Sequence, residues 1–470
     1  MGTMTPIDEK PIDDHRIEDI AGKSPPSDED DEFTPQEQKK IIRRIDLRLV
    51  TMTGLAYCIS LMDRTNLSMA AVAGLKKELR LDIGERYSIV VLMFFVPYII
   101  FQPPMTVIIR KVGPTYFLGT IIVCWAGIMI GMGFVQDWGA LVGTRVLLGV
   151  LEAGYFPGCV YLLSCWYTRY DVQKRFSVFY LIGCVASALA GILAFGLMQL
   201  NGKHGLTGWR WIFILEGVIT GFIGILCFFF LVDFPDRAHK SWRFLNEREC
   251  AFIVRRINKD RNDGDMEAFS LKKFLKPATD LKIWGFAMIF FCLTTVTYAI
   301  AYFLPIILMS GMGYGVGKAQ CLVAPPYGFA GIVMYATAWV GDKYHMRAPI
   351  LIFNALLAII GLPMMGFAKS DAVPLSCMAY QANNVRGQWT RAFSSATLVG
   401  FGGLGGIVSS LVFREQDAPG YRPGMYAAIA CNILIILLVL SLSLWFRICN
   451  KQADRGKRVI EGDAAFRYTI

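Results

Sequence analysis

Long apolar runs separated by short polar loops fill most of the chain. A membrane-spanning helix needs about 20 consecutive, mostly apolar residues, and eleven runs in this sequence meet that requirement. The pattern therefore predicts an all-α polytopic membrane protein. The eleven runs cover residues 47–71, 87–109, 114–133, 138–166, 176–200, 211–232, 283–309, 320–340, 348–368, 392–413 and 425–446.

Three polar segments frame these runs. Residues 1–39 are rich in Asp, Glu and Pro and hold no apolar core, which indicates a disordered cytosolic tail and no signal peptide. Residues 233–281 form a central cytosolic loop, and residues 447–470 form a basic tail. The sequence thus predicts two groups of spans, at 40–232 and 282–446.

Basic residues are concentrated on alternate loops, as the positive-inside rule describes. This arrangement places both termini in the cytosol and requires an even number of crossings. Only eleven runs are long enough, and the gap lies after the ninth run. There, residues 372–380 are the only apolar stretch, and Pro374 interrupts it. We therefore expect a truncated tenth helix, about half as long as a membrane span.

Composition excludes several classes of protein. The chain is 54% hydrophobic and only 18% charged, which is too apolar for a soluble protein of 470 residues. Its net charge of +10 comes from the loop clusters and reflects topology, so no nucleic-acid partner is expected. The twelve cysteines form no CxxC pair, and neither a metal site nor a cofactor is indicated.

Seven motifs point to one family. They resemble the anion:cation symporter family of the major facilitator superfamily, particularly its fungal branch of allantoate, nicotinate, pantothenate and biotin permeases. The motifs are DRTN at 63–66, GTRVLLGVLEAGYFPG at 143–158, GWRWIFILEG at 208–217, YFLP at 302–305, APPY at 324–327, MAYQANNVRGQWTRA at 378–392 and FREQDAPGYRPG at 413–424.

The resemblance implies a fold of two six-helix halves that transports a small solute by alternating access around a midplane site. It also implies that the first, fourth, seventh and tenth helices line the cavity. Two departures are visible. The loop after the second span reads IIRKVGP, without the superfamily's usual acidic residue, and the segment before MAYQANN is a full apolar helix in family members but short here.

Charged residues inside the apolar runs are few, and two pairs stand out: Asp63 and Arg64 in the outer part of the first run, and Arg145 and Glu152 in the fourth. Charges at bilayer depth are costly, so they either serve transport or neutralise one another as interhelical fasteners. In the transport interpretation, Arg64 and Arg145 attract an anion while Glu152 or Asp63 takes up a proton. Arg145 and Glu152, seven residues apart, share nearly one helical face, so a bound anion is expected to compete with Glu152 for Arg145.

The evidence for a functional role is weaker for the other polar residues in the runs. Glu216 lies near the outer end of the sixth run between tryptophans, which favours a structural role. Tyr298 and Tyr302 in the seventh run either contact a substrate carboxylate or pack against neighbours. The segment from Arg145 to Gly149 resembles the superfamily's RxxxG proton-coupling signature.

Two amides near the tenth segment, Gln381 and Asn384, are expected to cap its end, with substrate contact as the alternative. The glycines at 400–406 resemble a nucleotide-binding loop only superficially. They lie in an apolar run with no strand before them, which favours close helix packing.

These observations predict a monomeric importer of a small organic anion, such as nicotinate, coupled to protons and located in a fungal plasma membrane. The alternatives are an exporter of an acidic metabolite, a solute sensor that does not transport, and an inactive truncated isoform. Enzymatic activity is not expected, because no arrangement of nucleophile, base and orienting group is present.

Overall fold

A computed structural model describes residues 33–167, 169–241, 244–261, 275–310, 313–344, 348–361, 388–413, 417, 422–457, 459–460 and 467–468. The described part of the chain falls into two compact units, one that ends at residue 44 and one that begins at residue 45. In the first unit, Thr34 and Glu37 form a capping box in which the Thr34 amide donates to the Glu37 carboxylate at 2.8 Å.

Helices account for every regular element of the described part, as the apolar runs predict. Two π-helical segments, Asp46–Val50 and Ala71–Leu75, flank the second helix. The helices of the first group are α1 (Pro35–Ile45), α2 (Thr51–Ala70), α3 (Arg86–Val112), α4 (Pro114–Met132), α5 (Trp138–Glu152), α6 (Tyr155–Trp166), α7 (Arg169–Met198) and α8 (Gly208–Phe230).

The central segment contributes the amphipathic helix α9 (Glu247–Arg261), which begins with two acidic residues in its first turn. The second group then follows with one more break than the runs predict, because a short helix precedes the eighth run. Its helices are α10 (Leu281–Ser310), α11 (Val316–Cys321), α12 (Ala324–Tyr344), α13 (Ala348–Gly361), α14 (Gln388–Val412) and α15 (Arg422–Asp454).

The fourth run is predicted as one continuous span but forms two helices. α5 ends at Glu152, a turn covers Ala153 and Gly154, and α6 starts at Tyr155. Pro157 explains the break, because proline has no N–H to donate to the carbonyl four residues earlier, and its ring crowds that carbonyl. The interruption places Glu152 at a helix end inside the bundle.

The main contacts between helices of the two groups join α2 to α10, α3 to α14, and α7 to α12. Within the first group, α4 packs on α8 and α3 on α5; within the second, α10 packs on α14 and α15. Two groups joined in this way fit the predicted fold.

The number of crossings is only partly defined. In the described residues, eight helices are long and apolar enough to span a membrane. The helices at the ninth and eleventh runs, α13 and α14, border residues 362–387, which lie outside the described part. The tenth segment, with Gln381 and Asn384, falls in that range, so the predicted truncation remains a prediction.

Glycines allow several of these contacts to be close. The Gly405 Cα on α14 faces α10 so closely that a Cβ there would lie 2.2 Å from Thr294 Oγ1 and 2.7 Å from the Phe291 carbonyl. A Cβ on Gly406 would lie 2.3 Å from the Phe95 ring on α3. The glycine-rich stretch therefore serves helix packing, as the sequence predicts.

Gly149 makes a similar contact where α5 crosses α3. A Cβ at Gly149 would lie 2.3 Å from the backbone oxygen of Phe94, whereas Gly143, on the same helix, has nothing within 4 Å. We expect Gly149→Ala to destabilise the protein by about 1–3 kcal/mol, because the backbone must move. Gly143→Ala should be neutral or stabilising, since it removes the entropic cost of a helical glycine. Thermal unfolding of the purified variants measures both, and equal melting temperatures would contradict the prediction.

Candidate functional site

A charged pair joins α2 to the end of α5. Ser60 and Arg64 lie one turn apart on α2, so both side chains face the same neighbour. The Glu152 Oε1 atom accepts a hydrogen bond from Ser60 Oγ at 2.5 Å and another from Arg64 Nε. The Oε2 atom of Glu152 has no hydrogen-bond partner in the described part of the chain, although the side chain is only 1% exposed.

Two tyrosines complete the environment of Arg64. Arg64 Nη2 donates to the Tyr98 hydroxyl at 3.2 Å, and Nη1 donates to the Tyr298 hydroxyl at 3.1 Å. The guanidinium also lies 4.9 Å from the centre of the Tyr98 ring, a cation–π distance. Since Tyr98 is on α3 and Tyr298 on α10, Arg64 connects both groups of helices.

Arg145 has fewer partners. It is 1% exposed, and neither its Nε nor its Nη2 atom has a hydrogen-bond partner among the described residues. The charges of Glu152 and Asp63 and the phenols of Tyr302 and Tyr87 act on it. A buried guanidinium with unused donors is costly in a poorly solvated interior, and an anion would supply the missing acceptors.

Asp63 belongs to a different face of α2. It lies one residue before Arg64, hence about 100° around the helix, and points to α4 and α8. The Oδ2 atom of Asp63 accepts from Trp125 Nε1 at 3.1 Å and from Thr220 Oγ1 at 3.1 Å. Neutral donors therefore hold this carboxylate, and Asp63 makes no ion pair within the described part.

Glu216 is buried one turn before Thr220 on α8, only 3% exposed. Both of its carboxylate oxygens, and both polar atoms of the Asn66 side chain, lack hydrogen-bond partners in the described residues. Asp63 acts on Glu216 as a like charge, and the Asn66 amide lies close enough to interact weakly with the Glu216 carboxylate, although the two side chains are not in hydrogen-bond geometry.

The structure brings most of the sequence-predicted residues together. Arg64 contacts both Glu152 and Tyr298, and Tyr302 is within electrostatic range of Arg145. One expectation needs correction: the cation that pairs with Glu152 is Arg64 on the neighbouring helix, and not Arg145 on its own helix. The seven-residue spacing aligns Arg145 with Glu152 but leaves them two turns apart, about 10 Å of rise.

Asp63 and Arg64 are both buried between helices. Sequence reasoning missed four neutral partners, because single polar or aromatic side chains within apolar runs give little signal. The strongest signal in the sequence for such a partner is Tyr98, a polar aromatic residue next to Pro97 in the second run. The missed residues are Ser60, Tyr98, Trp125 and Thr220.

The two groups of helices also meet through hydrogen bonds at one end of the bundle. Ser68 Oγ donates to the Ala301 carbonyl at 3.2 Å, and the Tyr87 hydroxyl donates to the Tyr302 carbonyl at 3.2 Å. Gln320 Nε2 donates to the Met69 carbonyl at 3.1 Å. These contacts close the bundle at the end where α2 finishes and α3 begins.

Apolar helices in two groups, with buried charges in the interior, define a polytopic membrane protein. The family model of the major facilitator superfamily matches residues 53–430. The chain belongs to this superfamily. It is therefore built as a membrane transporter and is not an enzyme.

Relatives of similar length agree with this assignment. The major facilitator-type transporter hxnP of Emericella nidulans is 30% identical, with 92% of this chain and 90% of that protein covered. The high-affinity nicotinic acid transporter of Saccharomyces cerevisiae is 28% identical, with 90% of this chain and 80% of that protein covered. These fungal relatives are both named as transporters.

A solved structure supports the fold independently. The inward-facing, unoccupied bacterial homolog of the human lysosomal transporter Spinster matches with a TM-score of 0.57 at 13% identity, covering 88% of this chain and 96% of that chain. At this identity the match speaks for the fold alone, and it agrees with the expected major facilitator architecture.

Proposed function

We propose that the protein imports a small organic anion of the nicotinate type together with protons, by alternating access between its two groups of helices. The observation that carries the proposal is Arg145, a buried guanidinium whose Nε and Nη2 atoms have no partner in the described chain. A carboxylate is the natural ligand of such a fork, because it accepts two parallel hydrogen bonds. The name of the nicotinic acid relative supports the same substrate class.

The substrate anion binds between Arg145 and the α10 tyrosines. Tyr298 and Tyr302 stack with their ring centres 6.2 Å apart, and Tyr302 is within electrostatic range of Arg145. A flat aromatic acid has a face that packs on such rings and a carboxylate that reaches the guanidinium. Tyr298 already contacts Arg64, so the anion arrives next to the Arg64–Glu152 pair.

Proton coupling follows from the charge of this pair. A substrate carboxylate near Arg64 competes with Glu152 for the guanidinium and leaves Glu152 less compensated. The bare Oε2 atom of Glu152 then takes up a proton, because a buried carboxylate without a cation is strongly disfavoured. Anion and proton therefore enter together and leave together. Asp63, held by neutral donors, is the alternative acceptor.

Glu152→Gln tests the coupling. The amide resembles the protonated acid in shape and cannot release a proton, so counterflow exchange should persist while uphill accumulation disappears. Reconstituted vesicles with an imposed pH gradient and labelled nicotinate measure both activities. Retained pH-driven accumulation would move the proton site to Asp63.

The overall function is tested by uptake of labelled monocarboxylates in a permease-deficient yeast, with and without an uncoupler. Accumulation that the uncoupler abolishes supports symport, whereas reduced cellular retention of the label would identify an exporter. Fusion of fluorescent or protease-sensitive tags to each end tests the proposed cytosolic termini and plasma-membrane location.

The domain boundaries remain part of the proposal. The first half extends over 40–232 and the second over 282–446, with the central segment between them in the cytosol. The two halves contact each other where α3 packs on α14 and where α7 packs on α12. These contacts support a mechanism in which the two halves move relative to each other and act as the two gates of the carrier.

A further inference from the structure

The proton-coupling scheme uses Glu152 and leaves a second buried acid unexplained. Glu216 lies on the side of α2 opposite the anion site, next to Asn66, and the Asn66 side chain is 0% exposed. Neither oxygen of Glu216 and neither polar atom of the Asn66 amide has a hydrogen-bond partner among the described residues. Four unpaired polar atoms on two adjacent side chains need a physical reason.

The chemistry of the two groups supplies one. An ionised carboxylate only accepts hydrogen bonds, so it pairs with the amide nitrogen of Asn66 and leaves the amide oxygen without a donor. A neutral carboxyl group has one donor and one acceptor, which match the oxygen and nitrogen of the amide. Small rotations of the two side chains then satisfy both groups through a pair of complementary hydrogen bonds.

We propose that Glu216 binds a proton and, with Asn66, forms a second proton-binding site separate from the Arg64–Glu152 pair. The ligand of this site is a proton, and the site needs no organic anion. The proposal therefore goes beyond the transport scheme and stands or falls independently of it.

The charges around Glu216 favour the neutral state. α8 packs on α2, α4, α7 and the π-helical segment Ala71–Leu75. Two charged residues of α2 lie on this part of the helix. Asp63 acts on Glu216 as a like charge, whereas Arg64 donates its hydrogen bonds to Glu152 and two tyrosines.

The other packed elements bring no cation to this level of the bundle. α4 and the π-helical segment contain no charged residue. The charged residues of α7 all lie within its first seven residues, at the end remote from Met198, and α8 starts soon after Met198. On α8 itself, Arg210 pairs with Glu78. In the described part, Glu216 thus faces a carboxylate and an amide, with no cation to stabilise its anion.

A proton at Glu216 also balances the buried charges. α2, α5 and α8 bury two guanidinium groups and three carboxyl groups, which are Arg64, Arg145, Asp63, Glu152 and Glu216. With Glu216 neutral, the remaining two carboxylates of these helices match their two cations. The buried Lys76 lies outside these helices, with its ammonium group 5.1 Å from the centre of the Tyr87 ring. Loss of that proton would place a second negative charge beside Asp63 and draw a proton onto one of the two acids.

Infrared spectroscopy of the full chain in lipid nanodiscs tests the site directly, without any organic anion present. A protonated carboxyl group gives a C=O stretching band that an ionised one lacks, and exchange of H₂O for D₂O shifts it. At neutral pH we expect this band in the wild type and in Glu152→Gln, and its loss in Glu216→Gln. Asn66→Leu should shift the band to higher wavenumber, because the carbonyl loses its donor.

Size-exclusion chromatography establishes whether each variant is folded. If Glu216→Gln does not fold, the band position in Asn66→Leu tests the site instead, and an unshifted band in that variant would contradict the proposal. A band that persists in folded Glu216→Gln, or one absent from the wild type, would overturn the proposal. So would a wild-type band that disappears when sodium replaces choline, since the site would then hold a metal cation.

Discussion

Arg145→Ala is expected to abolish transport while the protein still reaches the membrane in normal amounts. Two donors of Arg145 have no partner in the described chain, and charge-assisted hydrogen bonds contribute about 1.5–3 kcal/mol each. Loss of both lowers the affinity for an anion by at least about 100-fold. Initial uptake rates over a range of nicotinate concentrations, normalised to surface protein, measure this effect.

Two variants separate the charge from its geometry. Arg145→Lys keeps the positive charge but loses the planar fork, so partial activity with weakened apparent affinity is expected. Arg86→Ala removes an arginine that lies over Trp138 and donates to the Arg80 carbonyl, and it should transport normally. Near-normal uptake by Arg145→Ala would make Arg145 a structural residue and remove the basis of the proposed anion site.

The sequence predicts the architecture well because the bilayer imposes a simple length requirement on apolar helices. The runs at 87–109 and 114–133 correspond to α3 and α4 within a few residues. The break between α5 and α6 was visible as Pro157, but the surrounding residues are apolar enough to be read as one span. The break places Glu152 at the end of a helix, a position that the apolar pattern alone does not indicate.

The sequence predicts the charged residues of the candidate site but not which of them form an ion pair. Spacing along one helix aligns Arg145 and Glu152, but the partner of Glu152 depends on how closely α2 and α5 pack, and no single-chain pattern specifies that distance. The neutral partners were hidden for a related reason. Trp125 and Thr220 look like ordinary members of apolar runs until the fold places them against Asp63.

The Arg64–Glu152 pair gives the largest expected effect on stability. Arg64→Ala leaves the Glu152 carboxylate, 1% exposed, with Ser60 as its hydrogen-bond partner, and breaking a buried pair in this way costs about 3–5 kcal/mol. Glu152→Gln should cost less, because Arg64 keeps Tyr98 and Tyr298. Thermal unfolding in detergent and surface abundance in cells measure both variants.

The double variant Arg64→Gln/Glu152→Gln distinguishes a lost contact from an unpaired charge. It removes both charges at once, so most of the stability lost in Arg64→Ala should return, as it does when a buried ion pair is replaced as a unit. Coupled transport should not return, because the proton acceptor and one anion-attracting group are both absent. The more exposed pair Arg175–Asp46, with side chains 15% and 33% exposed, is the matched control, and its loss should cost at most about 1 kcal/mol. A double variant as unstable as Arg64→Ala would mean that the packing of these two side chains, and not their charge, holds α2 against α5.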